Sequence, residues 1–120
     1  MGKRILICDD DEDILSICTY ILEENGWEVH TRNHCKNIVE TVAEIMPDII
    51  LMDNWIPEMG GIKATQAIKG KPELNHIPII YFSANNDVKT LARVAGADNF
   101  LAKPFDIDEL EKIVSSVLGK

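Results

Sequence analysis

Short runs of apolar residues recur along the chain and predict the strands of a sheet. Runs at residues 5–8, 49–52 and 77–83 are too short for helices and are rich in β-branched or aromatic residues. Because they do not alternate with polar residues, they are typical of parallel strands that are buried on both faces. Two weaker runs, at residues 27–31 and 98–102, bring the predicted number of strands to about five.

Between these runs, apolar residues recur with the period of a helix. The first such segment predicts one apolar stripe on a helix that ends near Asn25–Gly26, with stripe positions Ile14, Ile17, Cys18, Ile21 and Leu22. The same spacing predicts four further helices, whose apolar positions are Ile38, Val39, Val42 and Ile45; Ile62, Thr65 and Ile68; Val88, Leu91, Ala92 and Ala95; and Ile107, Leu110, Val114 and Val117. A capping-box pair, Asp106 and Glu109, marks the start of the last helix.

Strand and helix therefore alternate along the whole chain, with short connections. This alternation predicts an α/β fold of the flavodoxin-like, doubly wound type, in which a five-stranded parallel sheet carries helices on both faces. No linker or low-complexity segment interrupts the pattern, so residues 1–120 are expected to form one domain. In such folds, ligands bind beyond the carboxyl ends of the strands, where the strand order reverses.

Composition narrows the classes of function. The 120 residues are 46% apolar and 27% charged, which is typical of a folded domain. The net charge of −8 argues against direct nucleic-acid binding, because the protein would repel a phosphate backbone. No apolar segment is long enough for a membrane span or a secretory signal. Three cysteines without metal-binding spacing indicate a reduced, cytoplasmic chain.

Acidic residues collect directly after the first predicted strand, at residues 9–13. Consecutive carboxylates repel one another unless a hard cation or a nearby ammonium group offsets their charge. Asp9 and Asp10, at the strand tip, are therefore candidate metal ligands. The alternative is a solvated loop that places negative charge at the start of the following helix. A calcium-binding EF-hand loop is excluded, since its obligatory Gly and Glu positions hold Ile14 and Tyr20.

Three further polar residues follow strands at the same predicted edge of the sheet: Asp53, Ser83 and Lys103. Individually they have ordinary explanations as a loop cap, a helix-start residue and a solvated charge. Together, the carboxylates suit a divalent metal, and the hydroxyl and ammonium groups suit phosphoryl oxygens. A carboxylate is also a nucleophile for in-line phosphoryl transfer. The set predicts a site for a phosphoryl group.

Six segments carry a family resemblance over nearly the whole chain: residues 5–11 (ILICDDD), 47–53 (PDIILMD), 57–61 (PEMGG), 78–84 (PIIYFSA), 96–98 (GAD) and 101–105 (LAKPF). In this order they resemble the receiver domains of two-component response regulators. The resemblance implies that Asp53 accepts a phosphoryl group from a histidine kinase or a histidine phosphotransferase. It also implies that Asp10 ligates Mg²⁺ or Mn²⁺ directly and that Asp9 contributes through water.

Further roles are implied by the same resemblance. The backbone carbonyl of Trp55 supplies another metal ligand, and Ser83 and Lys103 contact the phosphoryl oxygens. Phe100 takes the place of the aromatic switch residue, which turns inward as Ser83 moves toward the phosphoryl group. Many family members have Tyr at this position, and the alternative is an ordinary edge-strand phenylalanine. The Lys103–Pro104 peptide is expected to be cis.

The implied function is a signalling switch in a two-component system or phosphorelay. Phosphorylation adds about −1.5 to −2 charge and biases a two-state conformation that controls partner binding or precedes relay of the phosphoryl group. Such a domain catalyses its own phosphorylation and dephosphorylation and is not an enzyme with a separate substrate. The expected partners are the phosphodonor and a downstream protein, without nucleic acid or membrane. A phosphorylation-dependent homodimer is left open.

Three other functions are weighed against this one. Small-molecule phosphatases of the haloacid-dehalogenase type place a second Asp two residues after the nucleophile, where this chain has Trp55. Nucleotide or flavin binding requires a Gly-rich or Ser/Thr-rich phosphate loop after the first strand, where acidic residues stand instead. The remaining alternative is a degenerate receiver that acts by protein binding alone.

Overall fold

The computed structural model describes residues 3–57, 59–84 and 87–118, so Glu58 of the segment at 57–61 lies outside the described residues. Strands and helices alternate as predicted. The strands are β1 (Lys3–Cys8), β2 (Trp27–Arg32), β3 (Ile49–Asp53), β4 (Ile79–Ser83) and β5 (Asn99–Ala102). The helices are α1 (Glu12–Glu24), α2 (Ile38–Ile45), α3 (Gly61–Lys69), α4 (Val88–Ala95) and α5 (Ile107–Leu118).

The five strands form one parallel sheet in the order β2-β1-β3-β4-β5. The chain moves outward from β1 to β2 and then returns to the other side of β1, so the order reverses between β1 and β3. The flavodoxin-like, doubly wound α/β fold is thereby confirmed. In the β1–β3 register Cys8 pairs with Met52, which sets Asp9 level with Asp53 at the carboxyl end of the sheet.

The core lies in two layers, one on each face of the sheet. Every residue of β3 and β4 is buried, as their unbroken apolar runs predict. Residues of α2, α3 and α4 pack on one face, and residues of α1 and α5 pack on the other. No helix in the described part of the chain is both long enough and apolar enough to cross a bilayer.

Helix ends follow their sequence signals closely. The Asp11 carboxylate accepts a hydrogen bond from the Asp13 amide and caps α1, and Gly26, at φ +89°, follows the end of that helix. At α5 the capping box is reciprocal: the Asp106 amide donates to Glu109 Oε1 at 3.0 Å, and the Glu109 amide donates to Asp106 Oδ1 at 2.8 Å. The Lys103–Pro104 peptide is cis, as expected.

The predicted stripe of α1 was wrong at one position. Ile17 is 53% exposed, whereas Leu15 is buried together with Cys18, Ile21 and Leu22. The buried face of the helix is centred between Leu15 and Cys18, and Ile17 lies outside this face. A run of neighbouring apolar residues fixes the helical period but leaves the rotation of the helix to its packing on the sheet.

Glycine is required where α3 begins, because this helix starts against the tip of β3. A Cβ atom on Gly61 would lie 2.2 Å from the Asp53 carbonyl oxygen, far closer than atoms pack. The Gly61 amide also donates to the Asn54 carbonyl at 3.0 Å, which ties the helix start to the residue after Asp53. Packing of α3 therefore fixes the backbone around Asp53.

Gly61→Ala is expected to lower the free energy of unfolding by about 1–3 kcal/mol, because the added methyl group must displace α3 from β3. Urea denaturation measures this change. Lys63→Ala, at an exposed position of the same helix, is the control and should change stability by less than about 0.5 kcal/mol. Equal stability of Gly61→Ala and the wild type would contradict this account of the α3 start.

Candidate functional site

Three carboxylates converge at the carboxyl ends of β1 and β3. Asp9 is fully buried and Asp53 is 4% exposed, while Asp10 is exposed at the rim. One oxygen from each side chain lies within 4.8 Å of the others. Hard divalent cations prefer such oxygen ligands, and an exposed third carboxylate leaves a route from solvent. The donor set therefore fits a hard divalent cation.

Lys103 reaches the three carboxylates from the β5 edge of the sheet. It follows β5, its amide donates to the Ser83 carbonyl at 2.9 Å, and its side chain crosses the end of β4. The Nζ atom lies 4.7 Å from the centre of the Phe82 ring, within the range of a cation–π contact. It ends 2.7 Å from both Asp9 Oδ2 and Asp53 Oδ1. One ammonium group thus joins the two buried carboxylates.

Burial and neighbouring charges shift the pKa values of both Asp53 and Lys103. Burial raises the pKa of Asp53, and the charge of Asp9 adds to the rise, while hydrogen bonds from Lys103 and the Trp55 amide oppose it. Burial lowers the pKa of Lys103, but hydrogen bonds and charges from Asp53 and Asp9 outweigh it, so this pKa is raised. Lys103 therefore stays charged, and a single ammonium only partly compensates the two buried carboxylates.

Backbone amides hold the remaining carboxylate oxygens. The Asp11 amide donates to Asp9 Oδ1 at 2.9 Å, and the Trp55 amide donates to Asp53 Oδ2 at 3.0 Å. These contacts orient both carboxylates toward Lys103. The Trp55 side chain is 76% exposed and forms the rim of the site. Metal ligation by the Trp55 carbonyl stays a prediction.

The two residues expected to act as a switch lie on adjacent strands. Ser83 is the buried last residue of β4, at the same edge as Asp53. Phe100 lies in β5, where it pairs with Tyr81, and its side chain is 36% exposed. An inward turn of Phe100 would therefore bury apolar surface that is now in contact with solvent. Coupling between the two residues stays a prediction.

Sequence reasoning missed two contacts behind the site. The Tyr81 hydroxyl donates to Asn54 Oδ1, directly beside Asp53, and burial, with a contribution from the Asp53 charge, raises the pKa of Tyr81 to about 12. The Cys35 thiol donates to the Pro57 carbonyl at 3.0 Å and accepts from the Met59 amide at 3.0 Å. The hydroxyl of a tyrosine in the middle of a buried strand was the one available signal for Tyr81.

Comparison with known proteins identifies the class. Residues 5–115 match the family described as the response regulator receiver domain. The chain therefore belongs to that family and is a receiver domain of two-component signalling, as the sequence predicts. The receiver domain of a sensor histidine kinase from Pseudomonas aeruginosa, solved with a magnesium ion in its active-site cleft, has a TM-score of 0.91 and 28% identity, with 100% of both chains covered.

Two curated relatives differ in length. The polar-differentiation response regulator DivK of Brucella anthropi is 31% identical, over 99% of this chain and 98% of its own. The regulatory protein AtoC of Escherichia coli is 35% identical over 97% of this chain, but this chain spans only 25% of its length. Similar receivers thus occur both alone and as parts of longer proteins.

Asp10→Asn is expected to weaken Mg²⁺ binding by about tenfold or more, because it removes one of three convergent carboxylate charges. Isothermal titration calorimetry with MgCl₂ measures the affinity. Asp11→Asn is a matched control: it removes the same charge at the adjacent residue, and Asn caps helices as well as Asp does. Equal loss of affinity in both variants would show a diffuse charge effect and not a site.

Proposed function

We propose that Asp53 accepts a phosphoryl group from the phosphohistidine of a histidine kinase or histidine phosphotransferase. The observation that carries this proposal is the Lys103 ammonium group, 2.7 Å from both Asp9 and Asp53, with Asp10 completing the carboxylate group. A cation already faces the candidate nucleophile, at the sheet edge where doubly wound folds bind their ligands. The resulting change in conformation controls the binding of a downstream protein or precedes relay of the phosphoryl group.

The transfer exchanges one bond to phosphorus for another. An Asp53 carboxylate oxygen attacks phosphorus, the new P–O bond forms as the P–N bond to imidazole breaks, and the imidazole leaves with the bonding electron pair. The Trp55 amide holds Asp53 Oδ2, and Lys103 leaves Asp53 Oδ1 for a phosphoryl oxygen. Ser83 donates its hydroxyl to another phosphoryl oxygen. Attack by water on the same phosphorus later breaks the P–O bond to Asp53, which releases inorganic phosphate and restores the free carboxylate.

The proposed metal site consists of Asp9, Asp10, Asp53 and the Trp55 carbonyl, with Asp9 acting through water. These residues would hold Mg²⁺, or Mn²⁺ in its place, and the bound ion would neutralise charge on the phosphoryl oxygens. The fit rests on the convergent carboxylate oxygens of the three aspartates and on the burial of Asp9 and Asp53. The domain itself thus promotes both its phosphorylation and its dephosphorylation.

We place this reaction in the cytoplasm. Cys8, Cys18 and Cys35 are free and buried. Burial raises the pKa of Cys8 to about 12 and that of Cys18 to about 11, so both thiols stay protonated and unreactive. A chain built around unpaired thiols is suited to a reducing compartment.

Homodimerisation of the phosphorylated form is one further outcome that the switch allows.

Incubation with acetyl phosphate and Mg²⁺ should add one phosphoryl group to the wild-type protein, and Asp53→Asn should abolish the adduct while the fold remains. Intact-mass spectrometry measures the adduct, and EDTA should prevent it. Asp48→Asn is the matched control, because Asp48 lies just before β3, at the opposite end of the strand, where its carboxylate accepts the Arg4 amide at 2.8 Å.

Two results would contradict the proposed reaction. An adduct of full yield on Asp53→Asn would place the acceptor elsewhere. A folded wild-type protein that gains no adduct under any of these conditions would be a degenerate receiver that acts by protein binding alone.

The switch has its own test. Phosphorylation should bury Phe100. Ser83→Ala should still be phosphorylated at Asp53, but Phe100 should stay exposed, because the variant lacks the hydroxyl that moves toward the phosphoryl group. Fluorophenylalanine labelling and ¹⁹F NMR report the environment of each Phe, and Phe100→Leu assigns the signal. A phosphorylation-dependent Phe100 shift of equal size in Ser83→Ala and the wild type would contradict this coupling.

A further inference from the structure

A buried side-chain contact lies behind Asp53, and the proposed phosphoryl transfer does not use it directly. The Tyr81 hydroxyl donates to Asn54 Oδ1, across the boundary between β4 and the first residue after β3. Tyr81 is fully buried, and its strand neighbour on β3 is Met52, two residues before Asn54. The phenol therefore extends along the strands toward the site. It reaches the residue next to Asp53 without reaching the carboxylate.

Asn54 is held on three sides. Its amide donates to the Phe82 carbonyl at 3.0 Å, its carbonyl accepts from the Gly61 amide at 3.0 Å, and its side chain accepts from Tyr81. The first contact continues the β3–β4 pairing, and the second ties the loop to α3. The third fixes the side chain and, through it, the backbone torsion angles of this residue.

The orientation of the next peptide depends on those torsion angles. The Trp55 amide donates to Asp53 Oδ2 at 3.0 Å, so its direction sets the rotation of the nucleophilic carboxylate. A turn of the chain at Asn54 would carry that amide away from Asp53. The same turn would redirect the Trp55 carbonyl, which belongs to the proposed metal site. An error of about 1 Å at a reacting group is enough to cost a large factor in rate.

We propose that Tyr81 is a positioning residue for phosphoryl transfer: its hydrogen bond to Asn54 holds the Asp53–Trp55 turn in the geometry that aims the carboxylate and the Trp55 carbonyl. This inference rests on the proposed function of Asp53. Tyr81 acts through Asn54 and touches neither phosphorus nor metal. Tyr81 and Ser83 lie two residues apart on the same face of β4, so this hydrogen bond also links the turn to the strand that carries Ser83.

Tyr81→Phe tests the inference, because it removes only the hydroxyl. Tyr20→Phe, at a 70% exposed tyrosine, is the control. In metal-free protein, hydrogen exchange of the Trp55 amide should accelerate about threefold to tenfold in Tyr81→Phe, the effect of one lost hydrogen bond. The Ile50 amide in β3 serves as the internal reference for global opening. At saturating Mg²⁺, the rate of Asp53 phosphorylation should fall by a similar factor.

A double-mutant cycle with Asn54→Ala sharpens the result. Each single variant should accelerate Trp55 exchange, and the double variant should add little, because either change breaks the same contact. Unchanged Trp55 exchange and an unchanged transfer rate in Tyr81→Phe, with the wild type phosphorylated on Asp53, would overturn this inference alone. A wild type that is not phosphorylated on Asp53 would overturn the proposed function and this inference with it.

Discussion

The arrangement of the site depends on one ammonium group placed between two buried carboxylates. Lys103 follows β5, and the strand order sets β4 between β5 and β3, so its side chain must cross the ring of Phe82 to reach Asp53 and Asp9. Removal of one partner from a buried ion pair leaves an uncompensated charge and is strongly destabilising. The cation therefore makes it possible for two acidic residues to end adjacent strands inside the protein.

The same arrangement explains how a local charge change can be transmitted. The Lys103 amide donates to the Ser83 carbonyl, and its ammonium group contacts Asp53, so under the proposed function the residue that leaves Asp53 on phosphorylation is also bonded to the end of β4. Phe100, in the middle of β5, is exposed on the surface that this movement would alter. Because interfaces of this kind are two-state rather than continuously deformable, a small shift at the site can produce a discrete change at the surface.

Much of the fold could be predicted because its signals are local. The apolar runs give β1, β3 and β4 within a residue or two, and caps such as Asp106 and Glu109 mark helix ends through contacts three residues apart. The rotation of α1 about its axis could not be predicted from local sequence, because packing of the helix on the sheet decides whether Leu15 or Ile17 is buried.

The site divides in the same way. The sequence could place five candidate residues at one edge of the sheet because each lies at the carboxyl end of a strand, and the carboxyl ends of parallel strands meet at one edge: Asp9, Asp10, Asp53, Ser83 and Lys103. The Tyr81–Asn54 contact depends on the exact β3–β4 register, which pairs Met52 with Tyr81. Cys35 meets the loop after β3 only in the folded chain, through the Pro57 carbonyl and the Met59 amide. No sequence spacing indicates either contact.

The stability of Lys103→Met as a function of pH, with and without Mg²⁺, tests the central role of this ion pair most directly. Loss of the ammonium group removes the hydrogen bond and the charge that oppose the rise in the pKa of Asp53, so this pKa rises further above its unfolded value and the variant's deficit should grow as pH rises above about 4. At pH 7 in EDTA the deficit should reach about 3 kcal/mol, and Mg²⁺ should recover part of it. Equal stability of variant and wild type at pH 7 in EDTA would contradict the account.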